Sequence, residues 1–386
     1  MKILYISQGN IPSKWAHTFQ AMKMADALAG EVDSLTLVTS GGLLPARCEM
    51  PDCAEWYGIN RGFAMVRLPL FWRVREPFFS WWKCPRFDRA ASIYARLKSP
   101  DLVYTRSANA GRLCVNLGLK TVIELHMGGE HSELHHILAV KNSPELLGVV
   151  TISPALEHLY VQSGIPADKI LVWPDAADVE AFDLLPDKMI LRKRLGVPDD
   201  AYVATYCGHL YRDRGIETIV QSAREMPFVH FLLVGGWEED VARLKTQSSG
   251  ISNLHCTGFV PNRRVPEYLK ASDVLLMPYP SNCETAEWMS PMKMFEYMAS
   301  SCPIVATDLP AIREHLRHGC NAYLIQPGDS SALTAAIKSI MADGKYAMSL
   351  GKDARRDVSP YSWRNRARAV LSRFCAGKPV AERAVA

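Results

Sequence analysis

The sequence predicts an α/β protein made of two doubly wound domains, each a parallel sheet with helices on both faces. Three observations predict it. With 386 residues the chain exceeds what one ordinary hydrophobic core organises, so two domains are the default expectation. In the N-terminal half, short apolar runs alternate with helical stretches, the grammar of a parallel sheet. The same alternation restarts near residue 200.

Each element follows in order. Lys2–Ser7 (KILYIS) is a strand, and His17–Ala29 carries a helical stripe through Phe19, Met22, Ala25 and Leu28. Ser34–Thr39, Asp101–Tyr104, Thr121–Leu125 and Gly148–Ile152 are further strands. In the second half the strands are Tyr202–Tyr206, Val229–Val234, Leu254–Thr257, Val274–Pro278 and Ile304–Thr307. Helices over Ile216–Glu225, Glu239–Gln247, Val265–Ala271 and Pro291–Ser300 separate them. Pro174–Pro198, with prolines, acidic residues and few apolar runs, reads as the linker. The expected division is 1–180, 181–358, a closing segment 359–375 that returns to the first domain, and a frayed tail 376–386. Within that segment Ser362–Phe374 is a basic amphipathic helix.

Composition narrows the function. An apolar fraction of 48% with 22% charged residues is that of a globular protein. MKILYIS is too short an apolar run for a signal peptide, and no window reaches the roughly 18 apolar residues of a membrane span. A cytoplasmic location is expected. The ten cysteines form no C-x-x-C pair and have no histidine cluster at zinc spacing, so they read as reduced thiols. A net charge of +4 is too small to argue for nucleic acid, and no nucleic-acid partner is expected. The fingerprint G-x-G-x-x-G is absent, which argues against a dehydrogenase.

The most informative stretch is Met289–Ala299, MSPMKMFEYMA. Ser290 followed by Pro291 predicts a capped helix start, where N–H groups and the macrodipole favour a diphosphate. Lys293 and Glu296 share one face of that helix. Glu296 lies about 9 Å along the axis from the cap, at roughly 1.5 Å per residue. That spacing suits a carboxylate that binds ribose hydroxyls while the helix start holds phosphates. An ordinary amphipathic helix packing Met294, Phe295 and Met298 inward is the alternative.

The run SPMKMFEYMASSCPIVATDLPAIREHL resembles the nucleotide-binding signature of glycosyltransferase family 4. Upstream, YCGHLYRDRG (Tyr206–Gly215) is similar to that family's loop after the first strand of the C-terminal domain. Arg214 stands where the family has a basic residue before the glycine, and His209 where many relatives carry arginine. Leu232–Gly236, Gly258-Phe259-Val260-Pro261 and Ile325–Gly328 follow in the family's order, with looser matches at Val122–His126, Thr151–Ser153 and Lys169–Asp178. The resemblance implies a GT-B fold, two Rossmann-like domains facing across a cleft. It also implies a retaining glycosyltransferase that moves a sugar from a nucleoside-diphosphate sugar to an acceptor hydroxyl. Its donor would meet Gly208, His209, Arg214, Val260, Ser290, Pro291, Met292, Lys293 and Glu296. One position departs: the first of the family's two glutamates falls on Trp288. The group touching the donor sugar is then Glu287 or a backbone amide near Ser290.

In the first half, His126 ends a strand in an ELHMGG loop, where relatives often place a histidine near the reacting sugar. Its implied role is to hydrogen-bond the transferred sugar. Gly9, in the first β–α loop, and His17, at the following helix, are the acceptor-side candidates. Residues 61–98 carry nine Arg and Lys side chains against Glu76 and Asp88, interleaved with Phe71, Trp72, Phe78, Phe79, Trp81 and Trp82. That mixture suits a membrane interface or lipid-linked acceptor, centred on residues 71–89, or else a loop over the acceptor. No D-x-D pair stands in a metal position, so no cofactor or divalent ion is expected. The rival readings are a GT-B sugar-nucleotide epimerase or phosphorylase, and a non-catalytic sugar-nucleotide-binding protein.

Overall fold

The computed structural model describes residues 1–41, 50–60, 62–69, 85–128 and 133–375. The chain divides into two units: Met1–Pro174 completed by the helix Trp363–Cys375, and Asp175–Ser362.

The first unit holds a seven-stranded parallel sheet in the order β3-β2-β1-β4-β5-β6-β7. Its strands are β1 Lys2–Ser7, β2 Ser34–Gly41, β3 Ala64–Pro69, β4 Leu102–Thr105, β5 Thr121–Leu125, β6 Leu146–Thr151 and β7 Ile170–Val172. The second holds a six-stranded parallel sheet in the order β10-β9-β8-β11-β12-β13. These strands are β8 Tyr202–Cys207, β9 Val229–Val234, β10 Leu254–Gly258, β11 Val274–Met277, β12 Ile304–Thr307 and β13 Tyr323–Ile325. Every residue of β4, β5, β11 and β12 is buried, as helices on both faces require. In each sheet the chain reverses direction across the strand order at one place, between β1 and β4 and between β8 and β11. The carboxyl ends of those strands are where doubly wound sheets hold ligands.

Three expectations change. Pro174–Pro198 is not an open linker: Ala177, Val179, Phe182 and Val197 enter the core of the second unit. Helix Lys188–Leu195 buries Arg192, whose guanidinium donates to the carbonyls of Ala271, Asp199 and Ala201. Widely spaced apolar residues carry that packing, so no continuous run revealed it. The basic stretch 61–98 is not all loop, because it contains β3 and the helix Pro85–Lys98. Its aromatic centre, residues 70–84, lies outside the described residues. The short strands β7 and β13 also went unread, being three residues each. Among the described residues, no helix is long and apolar enough to cross a membrane.

Candidate active site

In the second unit the site grows from the end of β8. Gly208 follows the strand with φ +139, and a Cβ there would lie 2.6 Å from Lys293 Nζ. The absent side chain therefore lets the lysine reach the loop. Lys293 projects from the helix Met292–Ala299, donates to the Tyr206 hydroxyl at 2.8 Å and sits 4.0 Å from that ring's centroid. Burial, with the Arg214 charge adding to it, pulls its ammonium down to about 7.

Arg214 closes the same loop. Its guanidinium lies 5.8 Å from the Tyr211 centroid and 5.5 Å from that of Tyr279, and it donates to Asp213 at 2.6 Å and to Cys283 Sγ at 3.4 Å. Gly215 (φ +74) then passes so close to β11's continuation that a Cβ would stand 1.6 Å from the Pro278 carbonyl oxygen. The loops after β8 and β11 are clamped together here. Two cations thus share an aromatic box of Tyr206, Tyr211 and Tyr279, whose hydroxyls burial pushes up. His209 lies over a flat pair of rings, 4.9 Å from Tyr211 and 5.6 Å from Trp237, which are themselves joined by a 2.9 Å hydrogen bond.

The helix start differs from expectation. Ser290 does not cap it: the serine is buried, and its Oγ accepts the Asp175 N–H at 2.9 Å. Pro291 occupies the N-cap position, and no side chain caps the first turn. Met292 opens the helix, with Lys293 and Glu296 both half-buried along it. Glu287 is exposed on the turn before the helix, while the neighbouring Trp288 buries its indole Nε1 without a partner among the described residues. Val260, after β10, packs half-buried against the core.

In the first unit, Gly9 follows β1 with φ +128, and a Cβ there would stand 3.0 Å from His17 Nε2. Gly9 and His17 are brought together. Burial, then the Arg106 charge, lowers His17 to about 3, so its imidazole is neutral. Arg106, after β4, donates to the His17 carbonyl at 3.2 Å and to Gln20 Oε1 at 2.9 Å.

His126 follows β5, and its Nε2 meets Glu124 Oε1 at 2.5 Å. Gln20 Nε2 donates to the same oxygen at 2.6 Å and Arg366 Nη2 at 2.9 Å, while the Tyr104 hydroxyl and Arg366 Nη1 reach Oε2. Both side chains of the Glu124–Arg366 pair are fully buried. Burial alone would raise the Glu124 carboxyl, but Arg366, then His126, hold it well below the usual carboxylate range. Sequence reasoning missed Glu124, Arg366, Arg106 and the three tyrosines. A glutamate inside an otherwise apolar strand, two residues before a histidine, was the one available signal. Among the described residues, no group of three His, Cys, Asp or Glu side chains is placed to hold a metal ion.

Residues 201–343 match the family model Glycosyl transferases group 1. The putative teichuronic acid biosynthesis glycosyltransferase TuaC of Bacillus subtilis is 32% identical over 311 residues, 74% of this chain and 73% of that protein. Alpha-galactosylglucosyldiacylglycerol synthase of Streptococcus pneumoniae is 23% identical over 52% of this chain, which spans only 50% of that protein's length. Among solved structures, Anabaena HepE in complex with UDP-glucose superimposes with a TM-score of 0.71 over 96% of this chain and 99% of that one, at 19% identity. That likeness shows the two-domain GT-B fold.

Proposed function

The chain belongs to the glycosyl transferases group 1 family, and on that premise we propose that it moves a hexosyl residue from a nucleoside-diphosphate sugar to an acceptor hydroxyl. The observation that carries the reading is the pair of cations, Lys293 and Arg214, gathered at the glycine after β8 beside the start of the helix Met292–Ala299. Two cations with one half-exposed carboxylate, Asp213, are a ready counter-charge for a diphosphate. Glu296, farther along the helix, takes the ribose hydroxyls. The diphosphate is met by these side chains and by backbone N–H groups at the helix start, without recourse to a divalent ion.

Transfer proceeds with retention. The leaving phosphate accepts the proton of the incoming hydroxyl, and the protein contributes positioning and charge stabilisation. Lys293 and Arg214 stabilise the departing diphosphate, and His126 hydrogen-bonds the transferred sugar. The acceptor is a glycan or lipid-linked precursor, in keeping with the polysaccharide and glycolipid products in the names of the relatives. Peripheral membrane contact is part of the same reading. Its described portion is the outer face of helix Pro85–Lys98, where Arg86, Arg89 and Arg96 flank Ile93 and Leu97, exposed by 58% and 78%.

The test is a binding screen of the full chain against UDP, GDP, ADP and their sugars, followed by release of nucleoside diphosphate with and without acceptor. One base should bind, and Glu296→Ala should weaken it roughly 10- to 100-fold, the worth of a charge-assisted hydrogen bond. No nucleotide binding, or an unchanged affinity in Glu296→Ala, would refute the assignment.

A further inference from the structure

Glu124 and Arg366 form a wholly buried ion pair inside the first unit. Such pairs seldom add net stability, because the cost of desolvating both charges offsets their attraction. Stability therefore leaves the pair unexplained. What the pair does supply is an acceptor of fixed position. An ionised carboxylate can only accept, so the His126 nitrogen facing it must be the N–H of the ring. Donors from three other elements hold the carboxylate still: Gln20 from the helix Ala16–Ala29, Tyr104 from β4, and Arg366 from the helix Trp363–Cys375. Arg366 is anchored in turn, its Nε donating to the Pro174 carbonyl at 3.0 Å.

We propose that Glu124 is the positioning residue of His126, and that Arg366 keeps it ionised, so that the last helix takes part in transfer. The proposal rests on the reading that His126 hydrogen-bonds the transferred sugar. Glu124 fixes the ring's orientation and tautomer, the way a carboxylate behind a catalytic imidazole does.

The test uses the full chain carrying Glu124→Gln and Arg366→Met together. Either change alone would strand a buried charge and risk unfolding, whereas removing both leaves none. The double variant should fold with a melting midpoint no lower than the parent's and bind nucleotide with the parent's affinity. Its turnover should fall about 10- to 100-fold, with the donor KM little changed. Nitrogen-15 resonances of labelled histidine supply a readout that needs no substrate. The His126 signal, identified by its loss in His126→Gln, should show a protonated Nε2 from about pH 5 to about pH 9 in the parent, as contact with a carboxylate demands. The double variant should return to the ordinary tautomer mixture. Unchanged Nε2 protonation in the double variant overturns the proposal, as does unchanged turnover. If His126→Gln itself turns over normally, the failure lies instead in the reading of His126.

Discussion

Raising the pH should release the nucleoside diphosphate from this protein, and Lys293 sets where that happens. Its ammonium is packed against Tyr206, with burial and then Arg214 drawing it down to about 7, against opposing pulls from Cys207, Glu296 and Asp213. The other groups of the box do not titrate nearby, since burial pushes the Cys207 thiol and the Tyr279 hydroxyl up to about 12. A bound diphosphate stabilises the charged lysine, so the complex keeps a proton that the free protein loses above about pH 7. The sign follows: binding takes up a proton, and affinity falls as pH rises through the free protein's value. With one proton linked, affinity should drop about tenfold between pH 6 and 8 and about a hundredfold by pH 9. Calorimetric titration with the nucleotide that binds, in buffers of different ionisation enthalpy, measures both slope and proton uptake. The series should start above about pH 6, where the terminal phosphate is itself ionised. Lys293→Met should bind weakly and without this slope, and should not be less stable than the parent near pH 6, because a half-buried ammonium that desolvation disfavours has gone. A flat profile in the parent, or the same slope in Lys293→Met, refutes the reasoning.

Two further outcomes follow from the same geometry. Arg214→Ala should weaken nucleoside diphosphate far more than free nucleoside, and Arg214→Lys should restore much of the loss, since a point charge still serves phosphate; equal losses for both ligands would make the residue structural. On the other unit, the chain should sediment with anionic vesicles, much less with neutral ones, and be partly released by salt. Arg89→Glu with Arg96→Glu should reduce that binding by about 1 kcal/mol per side chain or more, and Trp81→Ala with Trp82→Ala should remove the salt-resistant part. Indifference to anionic vesicles at low salt would end the membrane reading.

The parts of the site that could be read in the sequence are local ones. Lys293 and Glu296 were read from their spacing along one helix, and Gly208 and Arg214 from the resemblance carried by the loop after β8. Ser290 was misread because a serine before proline is a good cap by local rules, and only the fold shows its hydroxyl buried against Asp175. Tyr206 lies in β8 and Tyr279 just beyond β11, and nothing local says that two cations will share their rings. Glu124 and Arg366 are 242 residues apart, beyond any periodicity. The two sheets followed from alternation, but the strands of three residues and the apolar contacts hidden in the proline-rich segment did not.

The discontinuity of the first unit bears on how the chain is made. Synthesis delivers Glu124 long before Arg366, so the nascent first unit must carry a carboxylate destined for burial without its counter-charge. The second unit is continuous and can fold as soon as it has been synthesised. Its two ends are tied to each other, with the Ala177 N–H on the Tyr361 carbonyl at 3.1 Å and a parallel bridge from Ala177 to Ser362. Once that clasp forms, a closure across the whole length of the second unit becomes one of a few residues. Folding of the second unit thus delivers the last helix to the sheet that has been waiting for it.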